Sequence, residues 1–312
     1  MTAFVRKAAE DAVLREDWHE NEDGSRLLLL KYPLLERTGI VEHCFTTRLG
    51  GVSADIFSTM NLSFTRGDEE AAVRENYRRL ARALGAEVGQ FVCSDQTHTV
   101  NVRRVTAADA GKGLTRERDY RDVDGLITDE PGLVLSTFYA DCVPLYVVDP
   151  VHRAIGMSHS GWRGTAARMG AVTLSAMQEA YGTRPEDVVC AVGPSICKDC
   201  YEVSADVADI FAEEFPGHEQ EILTESEKNS VGMAHADKKY QLDLWKANEI
   251  IFQEAGAKRA SGSDGHLYLL QSEAVVFPPR KSWKARKSGR ISVPEIRMYK
   301  IVLQVWSVDR IK

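Results

Sequence analysis

The 312-residue chain predicts a single α/β (α+β) domain of mixed, layered sheets flanked by helices. Apolar, β-branched runs alternate with amphipathic helical stretches along the chain, the pattern of a layered architecture. Hydrophobic residues make up 44% and charged residues 27%, ordinary globular usage with enough apolar surface for a sizeable core. Neither an internal repeat, a low-complexity tract nor a linker divides it.

The elements read in order as follows. Residues 1–25 form a polar lead-in, after which Leu27–Tyr32 and Val41–Thr47 are strand-like. Gly50-Gly51 then forces a turn, because adjacent glycines tolerate backbone angles that other residues avoid. Val73, Tyr77, Leu80 and Leu84 recur at helical spacing across Asp68–Leu84, and Gly85 stands at the stop. Phe91–Val105 reads as a strand with a polar interruption at Ser94–Thr99, and Val123–Thr128 as another. Leu133–Val148 is a long apolar stretch broken by Asp141-Cys142 and Pro144. Ala154–Ser158 precedes a glycine-bearing turn and a helix with Met169, Val172, Ala176 and Met177 on one face, ending at Gly182. Val188–Val192 is a buried strand. Ser204 is a candidate N-cap for a helix ending before Pro216, and Leu242–Ala255 is a further amphipathic helix.

Composition excludes several classes. A formal net charge of −7 argues against a nucleic-acid partner, because gripping phosphates needs a basic face. Leu27–Leu30 is far too short to span a bilayer, and Met1–Glu22 lacks the apolar stretch of a signal peptide. A cytoplasmic location is the expectation, with neither membrane nor nucleic acid as partner. Six cysteines in a chain of this size make no disulfide scaffold and read as thiols, metal ligands or catalytic groups.

Three polar breaks interrupt the strand-like runs: Asp95–His98, Ala140–Pro144 and His159–Gly164. Singly, each has a plain alternative as a satisfied core residue. Together they lie at strand ends, where a rigid scaffold delivers side chains into one pocket. Two imidazoles and one thiolate, from His98, His159 and Cys142, suit zinc with a fourth position left open. Separations of 44 and 17 residues are too wide for a zinc finger and fit a site assembled from distant loops.

The stretches Phe45–Ser53, Asn61-Leu62, Gln96-Thr97-His98, Ala140–Pro144, His159–Gly164, Gly193–Ile196 and Cys200–Val203 resemble, in order, the motifs of the YfiH family, also called laccase-domain or multicopper polyphenol oxidase proteins. The resemblance runs from about Val41 to Leu244. It implies a YfiH-like catalytic domain over 26–264 and a metal site of His98, Cys142 and His159. It further implies phosphorolysis of adenosine, inosine or methylthioadenosine and deamination of adenosine, with zinc as cofactor and small-molecule substrates (a purine nucleoside and phosphate). Copper-dependent phenol oxidation at the same site is one alternative. Amide hydrolysis in cell-wall (peptidoglycan) precursor editing is another, and a non-catalytic relative a third. Eight histidines, with two in matching motifs, fall short of a multicopper cluster.

Within this frame the catalytic candidates are Cys142, His159, His98, Asp141 and Arg163, and the substrate-binding candidates are Arg48, Asn61, Gln96 and His43. Arg48 and Arg163 each sit in a glycine-bearing loop and suit a bidentate grip on phosphate, although Arg163 has the alternative of pairing with a surface acid. Asp141 is a candidate general base or a partner orienting a ligand histidine. His43 reads as an acid or as core, and Gln96 and Asn61 as hydrogen-bonding groups. Trp162 reads as a base-stacking or a buried structural ring. Cys197 and Cys200 have C-x-x-C spacing but no second pair to complete a zinc ribbon, so Cys200 reads as part of the Cys-Tyr-Glu-Val stretch and Cys197 as incidental.

The ending departs from the family pattern. Members close with Cys-Thr-x-Cys-Asn, Phe-Ser-His/Tyr-Arg and a Gly-Arg-bearing strand, whereas no cysteine follows Cys200 here. A permissible coding sequence for His266–Pro279, read in a neighbouring frame, spells Cys-Thr-Cys followed by Phe-Ser-His-Arg. The segment 265–312 is therefore read as an atypical, frameshifted ending whose basic run is no binding patch. The fold tolerates such a change if the last strand is peripheral.

Overall fold

Strand alternation sorts the apolar runs between three cores. In a strand successive side chains point to opposite faces, so Leu27 and Leu29 enter one core while Leu28 and Leu30 enter another. Val143, Leu145 and Val147 likewise face away from Tyr146 and Val148. Runs that read as continuously hydrophobic are therefore strands covered on both sides. The computed structural model describes residues 14–257, and beyond them the backbone of Val5–Arg6, Leu269–Leu270, Val275–Val276 and Val302–Val308. The remaining residues, including most of the segment 265–312 that the sequence reads as frameshifted, lie outside the described residues.

Two six-stranded mixed sheets dominate. The first runs Leu269–Leu270, Val189–Val192, Val143–Asp149, Ala154–Ser160, Gly125–Thr128, Val102–Arg104. The second runs Arg15–Glu20, Arg26–Lys31, Val41–Thr46, Val302–Val308, Val134–Tyr139, Phe91–Cys93. Their facing sides share a core that joins Leu28, Phe45 and Leu135 to Tyr146, Ile155 and Val189. The outer face of the first sheet packs on helices Met169–Tyr181, Ala205–Glu214 and Leu244–Glu254 through Met177, Phe211 and Ile251. The outer face of the second packs on helix Glu70–Ala83 through Val73, Tyr77 and Leu80. The result is four layers, helix–sheet–sheet–helix, in one domain. Among the described residues no helix is long and apolar enough to cross a membrane.

Two polar breaks acquire a structural meaning here. The run Phe91–Val105, read as one interrupted strand, is two: Phe91–Cys93 belongs to the second sheet and Val102–Arg104 to the first. The break between them is where the chain crosses from sheet to sheet. Val134–Tyr139 and Val143–Asp149 repeat this, and Ala140–Cys142 is their crossover. Because Phe91–Cys93 and Val134–Tyr139 run parallel, both chains cross at the same end of the sandwich.

Other expectations need correction. Part of the polar lead-in, Arg15–Glu20, is a strand at the edge of the second sheet, where an exposed face tolerates its charges. A three-stranded sheet of Glu202–Ser204, Lys239–Leu242 and Leu223–Glu225 went unread, because its short, polar strands carry little hydrophobic pattern. The helix after Gly161 is two helices, Trp162–Ala166 and Met169–Tyr181, separated by Arg168 at φ 59°. Ser204 precedes its helix, yet its hydroxyl turns to the Asp206 carboxylate and caps no backbone N–H. Finally, the place of Val302–Val308, which the sequence leaves open, is an inner one: it lies between Val41–Thr46 and Val134–Tyr139, antiparallel to both.

Candidate metal centre

At the crossover end of the sandwich the imidazole nitrogens of His98 and His159 and the thiol of Cys142 lie within 4.8 Å of one another. Each arrives by a different route. His98 stands in the 94–99 crossover, Cys142 in the 140–142 crossover, and His159 near the end of strand Ala154–Ser160. Register brings the last two together, since His159 pairs with Pro144 and Ser160 with Val143. The His98 and His159 rings meet edge-on with centroids 4.9 Å apart.

One carboxylate organises both imidazoles. Asp124 is fully buried at the start of strand Gly125–Thr128. Its Oδ1 accepts from His159 Nδ1 at 2.8 Å and from the His98 backbone N–H at 3.1 Å. Its Oδ2 accepts from the backbone N–H groups of Thr97 and Thr99 and from the Thr99 hydroxyl, at 3.1, 2.9 and 2.8 Å. Its own carbonyl takes the His159 N–H at 2.8 Å. A buried charge is costly unless paired and hydrogen-bonded, and this one is. Burial pulls the Asp124 carboxyl upward, but the bonds from His159, Thr99 and Thr97 outweigh it and hold its pKa at about 2. The three successive N–H groups also account for His98, whose φ of 68° is left-handed. That conformation costs roughly 1–2 kcal/mol in an L-residue, and charge-assisted hydrogen bonds offset it.

The donor set fits a metal ion. With Nδ1 of His159 tied to Asp124, Nε2 is left to coordinate. The Cys142 sulfur lies 3.7 Å from His98 Nε2, close to the roughly 3.5 Å edge of a tetrahedron with zinc–ligand bonds of about 2.0 and 2.3 Å. Burial and the neighbouring His159 ring lower the His98 pKa and favour the neutral, ligating imidazole. Burial, then the charges of Asp141 and Asp124, push the Cys142 thiol up to about 12. Space is also reserved: a Cβ on Gly161 would stand 2.8 Å from the Cys142 sulfur and 3.0 Å from His98 Cδ2. Behind the site, Ser160, Thr165 and Asn248 share side-chain hydrogen bonds of 2.9–3.2 Å that pin helix Trp162–Ala166 to helix Leu244–Glu254.

The other candidates divide. Asp141 is half-buried beside Cys142, and its carbonyl accepts from Ile196 N–H at 3.0 Å. Arg163 is exposed, its guanidinium stacked 4.4 Å over the half-buried Trp162 ring; no described acid forms an ion pair with it. Gln96 spends its amide on Phe138, donating to the carbonyl at 2.6 Å and accepting from the N–H at 2.7 Å. It thereby ties the first crossover to strand Val134–Tyr139. Arg48 grips the Ser58 carbonyl, and Asn61 donates to Asp68 at 2.8 Å, so both brace their own loops. His43 is 1% exposed, accepts from Tyr32 N–H at 2.8 Å and packs against the Tyr32 and Tyr146 rings. Of its two readings, the structure places it in the core. A cleft of about 620 Å³, lined by Asp95, Arg116, Arg118, Tyr120 and Arg121 among others, contains none of the three ligands. Two of its arginines are held by their own surroundings, Arg116 by the carbonyls of Ala108 and Ala110 and Arg118 by Ser94 and Asp95.

Sequence reasoning passed over Asp124 and Gly161. No local signal marks Asp124, which is one of two acids, with Asp122, ahead of the apolar run Gly125–Ile127. Gly161 lay inside a recognised motif, but its role becomes visible only once Cys142 and His98 converge on it.

The family model described as multi-copper polyphenol oxidoreductase laccase matches residues 42–292. The chain belongs to this family. Its relatives carry another name as well. Purine nucleoside phosphorylase YlmD of Bacillus subtilis is 34% identical over 251 residues, 79% of this chain and 85% of that one. A purine nucleoside phosphorylase of Deinococcus radiodurans is 39% identical over 225 residues, covering 72% and 79% respectively. Among solved structures, YlmD from Geobacillus stearothermophilus has a TM-score of 0.74 at 26% identity, over 96% of this chain and 100% of that one. YfiH from Bacillus licheniformis gives 0.72 at 25%, over 91% and 96%. All three candidate ligands and Asp124 fall inside the span that the family model matches.

Proposed function

We propose that this family member is a zinc-dependent purine nucleoside phosphorylase that also deaminates adenosine. The observation that carries the reading is the convergence of His98, Cys142 and His159, aligned by Asp124, in a chain whose relatives are named phosphorylases. His98, Cys142 and His159 would hold the zinc ion, which would supply a Lewis acid able to activate water for attack. In phosphorolysis a phosphate oxygen bonds to C1′ of the ribose while the C1′–N9 bond breaks, and the base leaves with that electron pair. Arg163, stacked on Trp162 and without an acid partner among the described residues, holds the phosphate through its planar guanidinium. Asp141, half-buried beside Cys142, moves the proton that the departing base requires. In deamination water adds at C6 of adenosine and ammonia leaves, with Asp141 again carrying the proton.

Copper at the same three ligands, oxidising phenols, is the second reading, favoured by the family's description. Against it, one set of three metal-ligand side chains converges among the described residues, fewer than a multi-copper cluster needs.

The test is product analysis by mass spectrometry, with zinc-loaded protein and adenosine, with and without phosphate, beside a Cys142→Ala control. Phosphate-dependent adenine and ribose-1-phosphate, together with phosphate-independent inosine, all lost in the control, are the expected result. No product from adenosine, with phenol oxidation after copper loading, would overturn it in favour of the oxidase.

A further inference from the structure

We propose that Cys197 and Cys200 form a reversible disulfide, closed by a hydroperoxide and reopened by a thiol, that loosens the metal centre. The two sulfurs lie 3.3 Å apart across the short turn Lys198–Cys200. A disulfide bond of about 2.05 Å asks each to move by little more than half an ångström. Cys200 is half-buried and open to a small oxidant, whereas Cys44, Cys93 and Cys190 are each buried to 1% exposure or less.

The steps balance. The Cys200 thiolate attacks a peroxide oxygen; the O–O bond breaks, leaving a sulfenic acid and, from hydrogen peroxide, hydroxide, which becomes water by taking up the proton that the thiol had shed. The Cys197 sulfur then attacks the sulfenic sulfur, the S–S bond forms, and hydroxide leaves as water with the thiol proton. Two thiols are oxidised and one peroxide is reduced. An added thiol reverses this by exchange and is itself oxidised to a disulfide.

The turn is stitched to the metal centre. Ile196, adjacent to Cys197, donates its N–H to the Asp141 carbonyl at 3.0 Å, and Gly193 donates to Pro144 at 2.7 Å. Ser195 between them accepts from the Trp245 indole at 2.5 Å. The residues bonded to this segment flank Cys142, so drawing Cys197 toward Cys200 strains the backbone that presents that thiol. This coupling rests on Cys142 being a ligand, as proposed above; disulfide formation does not.

Zinc-loaded protein is titrated with hydrogen peroxide, alkylated and digested with trypsin, while zinc release to a chromogenic chelator is followed in parallel. Trypsin cuts after Lys198, so the reduced protein yields two separate alkylated peptides and the oxidised protein one linked pair. The expected result is a linked pair that dithiothreitol separates, with zinc release faster by about tenfold, the scale on which outer contacts tune a metal site. Cys200→Ser should show neither change. Separate alkylated peptides at every dose would overturn the disulfide. A linked pair with unchanged release, or faster release in Cys200→Ser as well, would overturn the coupling. A protein that takes up no zinc at all would instead contradict the metal site, and the peptide readout would still decide the disulfide.

Discussion

Asp124 has more influence on the site than its position in the sequence suggests. It is not one of the three candidate ligands, yet it bonds the ring of one, His159, and the backbone of another, His98. Asp124→Asn keeps the shape but turns one oxygen into an amide donor, which then faces N–H groups where they formerly found an acceptor. Metal affinity should fall by about 10- to 100-fold, the usual effect of losing a partner that orients a ligand, as measured by chelator competition with circular dichroism to confirm the fold. Unchanged affinity would mean that Asp124 serves stability alone. The three candidate ligands stood out in the sequence as polar residues breaking apolar runs. Asp124 did not, because nothing local distinguishes a carboxylate that gathers two histidines from one that pairs with a lysine.

Elements explain why the ligands meet. Two crossovers between sheets lie at one end of the sandwich because their preceding strands run parallel. Strand existence was readable from hydrophobic runs, but sheet membership was not, since pairing is set by partners far away in sequence. The same limit hid the place of Val302–Val308. It occupies an inner slot, so removing residues 302–312 leaves two unpaired strand edges facing each other in the second sheet. Unpaired inner edges invite pairing with other chains. The truncated protein should therefore aggregate on size-exclusion chromatography and lose its cooperative thermal transition. A monomeric, cooperatively melting truncation would contradict the register.

For the whole molecule, the four-layer sandwich makes its stability depend on pH through a histidine buried in its core. Burial drives the His43 pKa down to about 3, against an ordinary value of 6.5. Between those values the unfolded chain binds a proton that the folded one refuses, so stability is complete above 6.5 and declines as pH falls. The slope for one proton is about 1.4 kcal/mol per pH unit. His43→Gln keeps an acceptor for the Tyr32 N–H without titrating. Melting curves between pH 6.5 and 5 should fall more steeply for the wild type than for the variant. Parallel slopes would show that His43 is protonated in the folded state.

The central claim is that His98, Cys142 and His159 hold one metal ion, and X-ray absorption at the zinc edge of the loaded protein tests it most directly. The account predicts one sulfur at about 2.3 Å and two imidazole nitrogens at about 2.0 Å, with the sulfur absent in Cys142→Ala. A shell of oxygen and nitrogen alone, or one that Cys142→Ala leaves unchanged, would contradict it.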